Sequence, residues 1–150
     1  MTRTGAWVRA AVVLAAVLAV DQGTKALVRS SLKVGEHHDW ALGIGLVRTR
    51  NTGIAFGALG GASALVVIAV AFALAGLVFF FVTHSTRRLA WLSTGLLLGG
   101  ALGNIVDRVT QGYVTDFMKL PYWPAFNVAD VAITLGVLSL VFVLDARRGR

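Results

Sequence analysis

Cysteine is absent from the 150 residues. This excludes disulfide staples, thiol nucleophiles and Cys-ligated zinc or iron–sulfur clusters, leaving carboxylates, hydroxyls, histidine and lysine for any chemistry. Acids are scarce: Asp and Glu together number 7, and charged residues make up only 14% of the chain. With 57% hydrophobic residues and a mean hydropathy of +0.77, so little charge excludes a disordered or ordinary soluble protein. No internal repeat, low-complexity tract or linker divides the sequence, so residues 1–150 read as a single membrane domain.

What is present is a set of long apolar blocks. Gly61 to Thr83 is uncharged and long enough to cross a hydrocarbon core of ~30 Å. Leu89 to Val106 and Phe126 to Leu144 are similar, while Ala6 to Val28 carries Arg9, Asp21 and Lys25 within it. The expected fold is an all-α membrane protein with four transmembrane helices at about 6–28, 61–83, 89–106 and 126–144, and an outer loop region at 30–60. A cleavable signal peptide competes for the first segment, because Arg3 and Arg9 precede Ala10 to Val20 and Val17-Leu18-Ala19 resembles a cleavage site. The polar run Asp21-Gln22-Gly23-Thr24-Lys25 continues into Ala26-Leu27-Val28, which fits a helix end lined with functional groups better than a leader.

The net charge of +7 does not point to nucleic acid, since Arg147, Arg148 and Arg150 follow an apolar run as a cytoplasmic anchor near anionic lipid does. Lys and Arg divide evenly between the two faces. Arg3, Arg9, Arg87, Arg88 and the tail nevertheless lie in short flanks, where the positive-inside bias acts, so both termini are expected in the cytoplasm. In the outer loop, alternation of Trp40, Leu42, Ile44 and Leu46 predicts a short strand, weakened by Gly43 and Gly45, and hence a small outer β-sheet. Trp7, Trp40, Trp91 and Trp123 fall at helix ends or in that loop, as interfacial anchors do.

With helices alternating in direction, Asp21, Asn51, Asn104, Asp107, Asp116, Asn127 and Asp130 reach one membrane face. Gly95, Gly99 and Gly103 recur every four residues, a ridge of small residues that permits close helix contact and continues into Asp107. Gly100, Asn104 and Arg108 form the neighbouring row. Asn127, Asp130 and Thr134 share a face; Asn127 reads as a helix cap, and Asp130 as an intramembrane acid with a function. Asp21 and Lys25, at i and i+4, suit a structural ion pair. Glu36, His37, His38 and Asp39 lack the spacing of a metal site, so no metal is expected.

No serine or zinc-hydrolase motif is present, which leaves a carboxylate pair as the hydrolytic option. Two aspartates held close share a proton: the ionised one draws a proton from water while the other polarises the scissile carbonyl. Spacing leaves Asp107 and Asp116 as candidates to join Asp130. Asp107, followed by Arg108 at the end of a packed helix, has the surroundings of a charged structural acid. Asp116 lies in an extended-looking segment, Gly112 to Phe117, that leads through Pro121 and Pro124 into the last helix.

The blocks Asp21-Gln22-Gly23-Thr24-Lys25, Asn51-Thr52-Gly53-Ile54-Ala55-Phe56, Gly99 to Arg108, Gly112 to Phe117 and Phe126-Asn127-Val128-Ala129-Asp130 together resemble the lipoprotein signal peptidase (signal peptidase II) family, in order and over most of the chain. The resemblance implies an aspartyl endopeptidase of the bacterial inner membrane that works without a cofactor. Such an enzyme cleaves diacylglyceryl-modified prolipoproteins before the lipidated cysteine. The resemblance selects Asp116 and Asp130 as the catalytic pair. It places Asn51, Gly53, Asn104, Arg108, Asn127 and Ala129 around the substrate, with Asp21, Lys25 and Asp107 as support. It further implies contact with membrane lipid, inhibition by globomycin, and a mobile loop before the second helix. Thr115, at a position usually aliphatic in the family, and the short connection from Asp116 to Asp130 are departures. The rival from another class is a small transporter or channel subunit using Asp21, Lys25, Asp107 and Asp130, but its polar groups would not all gather at one face.

Overall fold

The computed structural model describes residues 2–53 and 62–145. Ile54-Ala55-Phe56, the rest of the expected loop to Gly61, and the tail bearing Arg147, Arg148 and Arg150 lie outside the described residues. The chain is mostly helical with one small antiparallel sheet: α1 (Arg3–Ser31), β1 (His37–Ala41), β2 (Ile44–Asn51), α2 (Ala62–His84), α3 (Ala90–Gln111), β3 (Val114–Lys119) and α4 (Val128–Asp145).

Two helices run beyond their expected limits. α1 has 29 residues, three more at each end than expected, with Asp21 and Lys25 forming an ion pair along it. Thr2 caps its start by accepting from Gly5 N, and Arg48 caps its end by donating to the Arg29 and Leu32 carbonyls. α3 continues past Val106 to Gln111, where Gly112 adopts φ 77° and donates to the Arg108 carbonyl. α4 starts two residues later than Phe126, because Phe126 pairs with Met118 beside β3 and Asn127 becomes the cap. Among the described residues, α1 and α4 are long and apolar enough to cross a membrane, and Ile68–His84 of α2 is a shorter apolar helix.

α3 is the central helix, and its glycines decide how near its neighbours come. A Cβ on Gly95 would meet Val13 at 2.7 Å, one on Gly99 would meet Val17 at 2.8 Å, and one on Gly103 would meet the Asp21 carboxylate at 2.5 Å. The ridge therefore seats α1, and at Gly103 it leaves room for an acid. Gly100, one row over, faces α4, where a Cβ would lie 2.6 Å from the Ala129 carbonyl oxygen. At the opposite end, Ala6, Ala10, Phe81, Ala90 and Val143 close an apolar core, with Trp7 edge-on to Phe81 at 4.7 Å.

The alternation from Trp40 to Leu46 belongs to a hairpin and not to one strand. Leu42 and Gly43, with φ 54° and 76°, form the two-residue turn between β1 and β2, so the glycine expected to weaken a strand makes the turn. β3 pairs antiparallel with β2, placing Asp116 opposite Thr49 and Val114 opposite Asn51.

Candidate active site

Asp21, Asn51, Asn104, Asp107, Asp116, Asn127 and Asp130 all enter one hydrogen-bonded cluster at one end of the bundle. Asp116 comes from β3 and is almost wholly buried, whereas Asp130, in the first turn of α4, is partly exposed. Asn51 donates through Nδ2 to Asp116 Oδ2 at 2.9 Å, and its own Oδ1 accepts from Gly53 N at 2.9 Å. Asn127 Nδ2 donates to Asp116 Oδ1 at 2.6 Å and to Asn104 Oδ1 at 3.2 Å. Asn104 Nδ2 in turn donates to Asp130 Oδ1 at 2.9 Å. The carboxamides of Asn127 and Asn104 thus link the two acids.

Asn127 and Asp130 also form a reciprocal cap: Asp130 N donates to Asn127 Oδ1 at 3.0 Å, and Asn127 N donates to Asp130 Oδ2 at 3.1 Å. The cap expected of Asn127 is shared by Asp130, which keeps its place in the cluster. The cap fixes the carboxylate against the helix start, which is the rigidity an acid aimed at a substrate requires.

Beneath this pair lies an ion cluster. Lys25, fully buried, contacts Asp21 at 2.8 Å and Asp107 at 3.4 Å, and Arg29 contacts Asp107 at 3.5 Å. Asp21 accepts from Ala129 N and Asp107 from Thr115 N, both at 2.9 Å, which ties α1 and α3 to the backbone beside each member of the upper pair. Asp107 was expected to act with Arg108; its cationic partners are Lys25 and Arg29, because α3 continues as a helix and carries Arg108 to another face. Arg108, half-buried, donates to the Asn104 carbonyl at 3.3 Å. Ala129, expected beside substrate, is fully buried in the helix interface.

Lys25 reaches the upper cluster as well, donating to Asn104 Oδ1 at 2.9 Å. An ammonium has only donors, so this contact forces the Asn104 carboxamide to turn its NH2 toward Asp130. Among the described residues neither Asp116 nor Asp130 forms an ion pair. Burial pushes the Asp116 carboxyl up to about 6, the bonds from Asn51 and Asn127 oppose that rise, and the neighbouring charge of Asp130 adds to it.

Sequence reasoning missed Gln22, Arg29 and the Thr115 hydroxyl. Gln22 Nε2 donates to Asp21, the Gly103 carbonyl and Asp107, while Arg29 donates to Thr115 Oγ1 at 3.3 Å. Arg29 was detectable, since Asp21, Lys25 and Arg29 recur at every fourth residue on one helical face. Gln22 carried no such signal. The Glu36 and His38 side chains pair with each other at 2.9 Å at the start of β1.

The model of the family described as signal peptidase (SPase) II matches residues 13–145. The chain belongs to the signal peptidase II family. A lipoprotein signal peptidase of Brucella ovis is 40% identical over 162 aligned positions, covering 100% of this chain and 98% of that protein. One from Halothermothrix orenii is 34% identical, covering 89% and 92%. A bacterial membrane enzyme solved by the in meso method at 1.9 Å superposes with a TM-score of 0.84 at 30% identity, over 90% of this chain and 91% of that one. A second, at 2.3 Å, gives 0.82 at 29% identity, over 94% and 91%. As a signal peptidase II the protein is a membrane-bound aspartic peptidase, which displaces the transporter reading.

Proposed function

We propose that this signal peptidase II cleaves diacylglyceryl-modified prolipoproteins before the lipidated cysteine, with Asp116 and Asp130 as its catalytic pair. The observation that carries the pair is chemical: among the described residues, both carboxylates are held by carboxamide or backbone N–H groups and by no cation. Amides orient a carboxylate without cancelling its charge, so two such acids retain one proton between them. The ionised member takes a proton from the attacking water as the other protonates the scissile carbonyl oxygen. The acquired proton then passes to the leaving amine as the tetrahedral intermediate collapses. Asn51, Asn104 and Asn127 hold the acids, Gly53 fixes the Asn51 carboxamide, and Arg108 stands at the rim. Asp21, Lys25, Asp107 and Ala129 support them from below.

We read all of α1 to α4 as spans of the bacterial inner membrane within one domain. Both termini are cytoplasmic and the pair sits at the outer boundary, where the substrate arrives sideways from the bilayer with its lipid still in hydrocarbon. The position of Asp130 in the first turn of α4 supports that depth. The deciding experiment is gel-shift processing of a lipidated prolipoprotein by the purified protein. Cleavage lost in both Asp116→Asn and Asp130→Asn, and blocked by globomycin, is expected; turnover retained by either variant overturns the pair.

A further inference from the structure

The end of the bundle opposite the acids holds a cavity of about 390 Å³ where α1 begins and α2 ends, lined by Arg3, Val82, Thr83, Ser85 and Thr86. Arg3 crosses from the first turn of α1 and donates to the Val82 carbonyl, one of those an α-helix leaves open at its C-terminal end. That bond offsets the negative end of α2, and a guanidinium has further N–H donors to give. Thr83 turns its hydroxyl back onto the Phe80 carbonyl at 2.9 Å. Ser85 does not. It is 2% exposed, it lines the cavity, and among the described residues its hydroxyl has no hydrogen-bond partner, so that partner has to come from the cavity. Thr86, exposed beside it, adds a second hydroxyl in the same condition. No acid is among the lining residues. Arg87 and Arg88 follow in the same turn, and neither they nor Arg3 meet an acid among the described residues.

Guanidinium and hydroxyl donors that converge in a positive field fit an anion with several acceptor oxygens, which is the chemistry of a phosphate. Depth points to its source. Val82 is the last apolar residue of α2, and Trp7 and Trp91 stand at the same end, so the cavity lies where hydrocarbon gives way to headgroups. We infer that this cavity binds the phosphate of an anionic membrane phospholipid, held by Arg3, Ser85 and Thr86, and that the bound headgroup clamps the start of α1 to the turn between α2 and α3. The site lies at the far end from the acids and does not rest on the function proposed above.

The test is native mass spectrometry of the full-length protein released from detergent, titrated with phosphatidylglycerol, with diacylglycerol of the same chains, and with phosphatidylglycerol in the presence of inorganic phosphate. Wild type is expected to bind phosphatidylglycerol about tenfold or more tightly than diacylglycerol. Ser85→Ala, which keeps every charge and removes one donor, should weaken phosphatidylglycerol by about threefold or more, and Arg3→Gln by about tenfold, with diacylglycerol unchanged in both. Arg88→Gln removes an exposed cation outside the cavity and should change the affinity by about twofold or less. Arg3→Gln also loses the bond to α2, so Ser85→Ala carries the decision where that variant fails to fold. An affinity unaltered in Ser85→Ala, or lowered as much by Arg88→Gln as by Ser85→Ala, overturns the site and leaves only the general attraction of a basic end for anionic lipid. Displacement of the lipid by inorganic phosphate overturns the phospholipid as the source and assigns the cavity to free phosphate.

Discussion

Two pairs of aspartates lie at one end of this bundle and are held in opposite ways. Asp21 and Asp107 share the cations Lys25 and Arg29, so two acids meet two bases. Among the described residues, Asp116 and Asp130 receive only neutral donors, from Asn51, Asn104, Asn127 and a backbone N–H. The lower pair gains Coulomb attraction where its desolvation would otherwise be prohibitive, and in return cross-links α1 to α3. The upper pair gains orientation without a neutralising cation among the described residues. Lys25 joins the two layers: it neutralises the lower acids and sets which end of the Asn104 carboxamide faces Asp130. On the proposed function the same residue type is a strut in one layer and a reagent in the other, according to whether its neighbours carry charge.

The comparison breaks most sharply at the upper pair. Asp116→Asn or Asp130→Asn should each lower kcat by at least about 10³-fold in membrane-inserted protein, as single-turnover assays would read. Residual turnover near wild type would make the upper pair structural like the lower.

Lys25→Met attacks the lower pair by leaving buried acids without their shared cation. A loss of about 3–5 kcal/mol in stability is expected, read as a fall in thermal midpoint of the detergent-solubilised protein. Asp107→Asn should destabilise less and retain activity in folded protein, acting through Lys25, Arg29 and the Thr115 backbone rather than through Arg108. Unaltered midpoints in both variants would remove the distinction between the layers.

Asn51→Ala sharpens the electrostatic side of the comparison. The lost donor favoured ionised Asp116, so its carboxyl should rise further above about 6. The pair then holds its shared proton to higher pH, and the alkaline limb of the kcat/KM profile should move upward, with about a tenfold loss at the optimum. A limb that moves down contradicts the donor role. The smallest effect belongs to Thr115→Val, which removes one bond from Arg29; a change under about 1 kcal/mol is expected from denaturation midpoints.

The layers were unequally legible. The lower cluster is written at helical spacing in Asp21, Lys25 and Arg29, and the ridge of Gly95, Gly99 and Gly103 announces where α3 admits α1. The upper pair was selected by resemblance: spacing alone left both Asp107 and Asp116 as candidates for the partner of Asp130. Local pattern misplaced the hairpin, since alternation across Trp40 to Leu46 looks the same whether or not Leu42 and Gly43 turn the chain. It also ended α3 too early, because hydropathy falls at Asp107 and Arg108 although the helix does not.

By itself, then, the sequence determined the apolar helices, the gathering of carboxylates and carboxamides at one end, and membership of a peptidase family, because periodicity, composition and motif are local and survive in one dimension. Only the tertiary structure decided which acids meet cations and which meet amides. Antiparallel pairing of β2 with β3 brings Asn51 to Asp116, and the Gly103 gap admits Asp21 beneath Ala129. The charge environment of a carboxylate is set by atoms within a few ångströms, and here those atoms come from residues up to 108 positions apart.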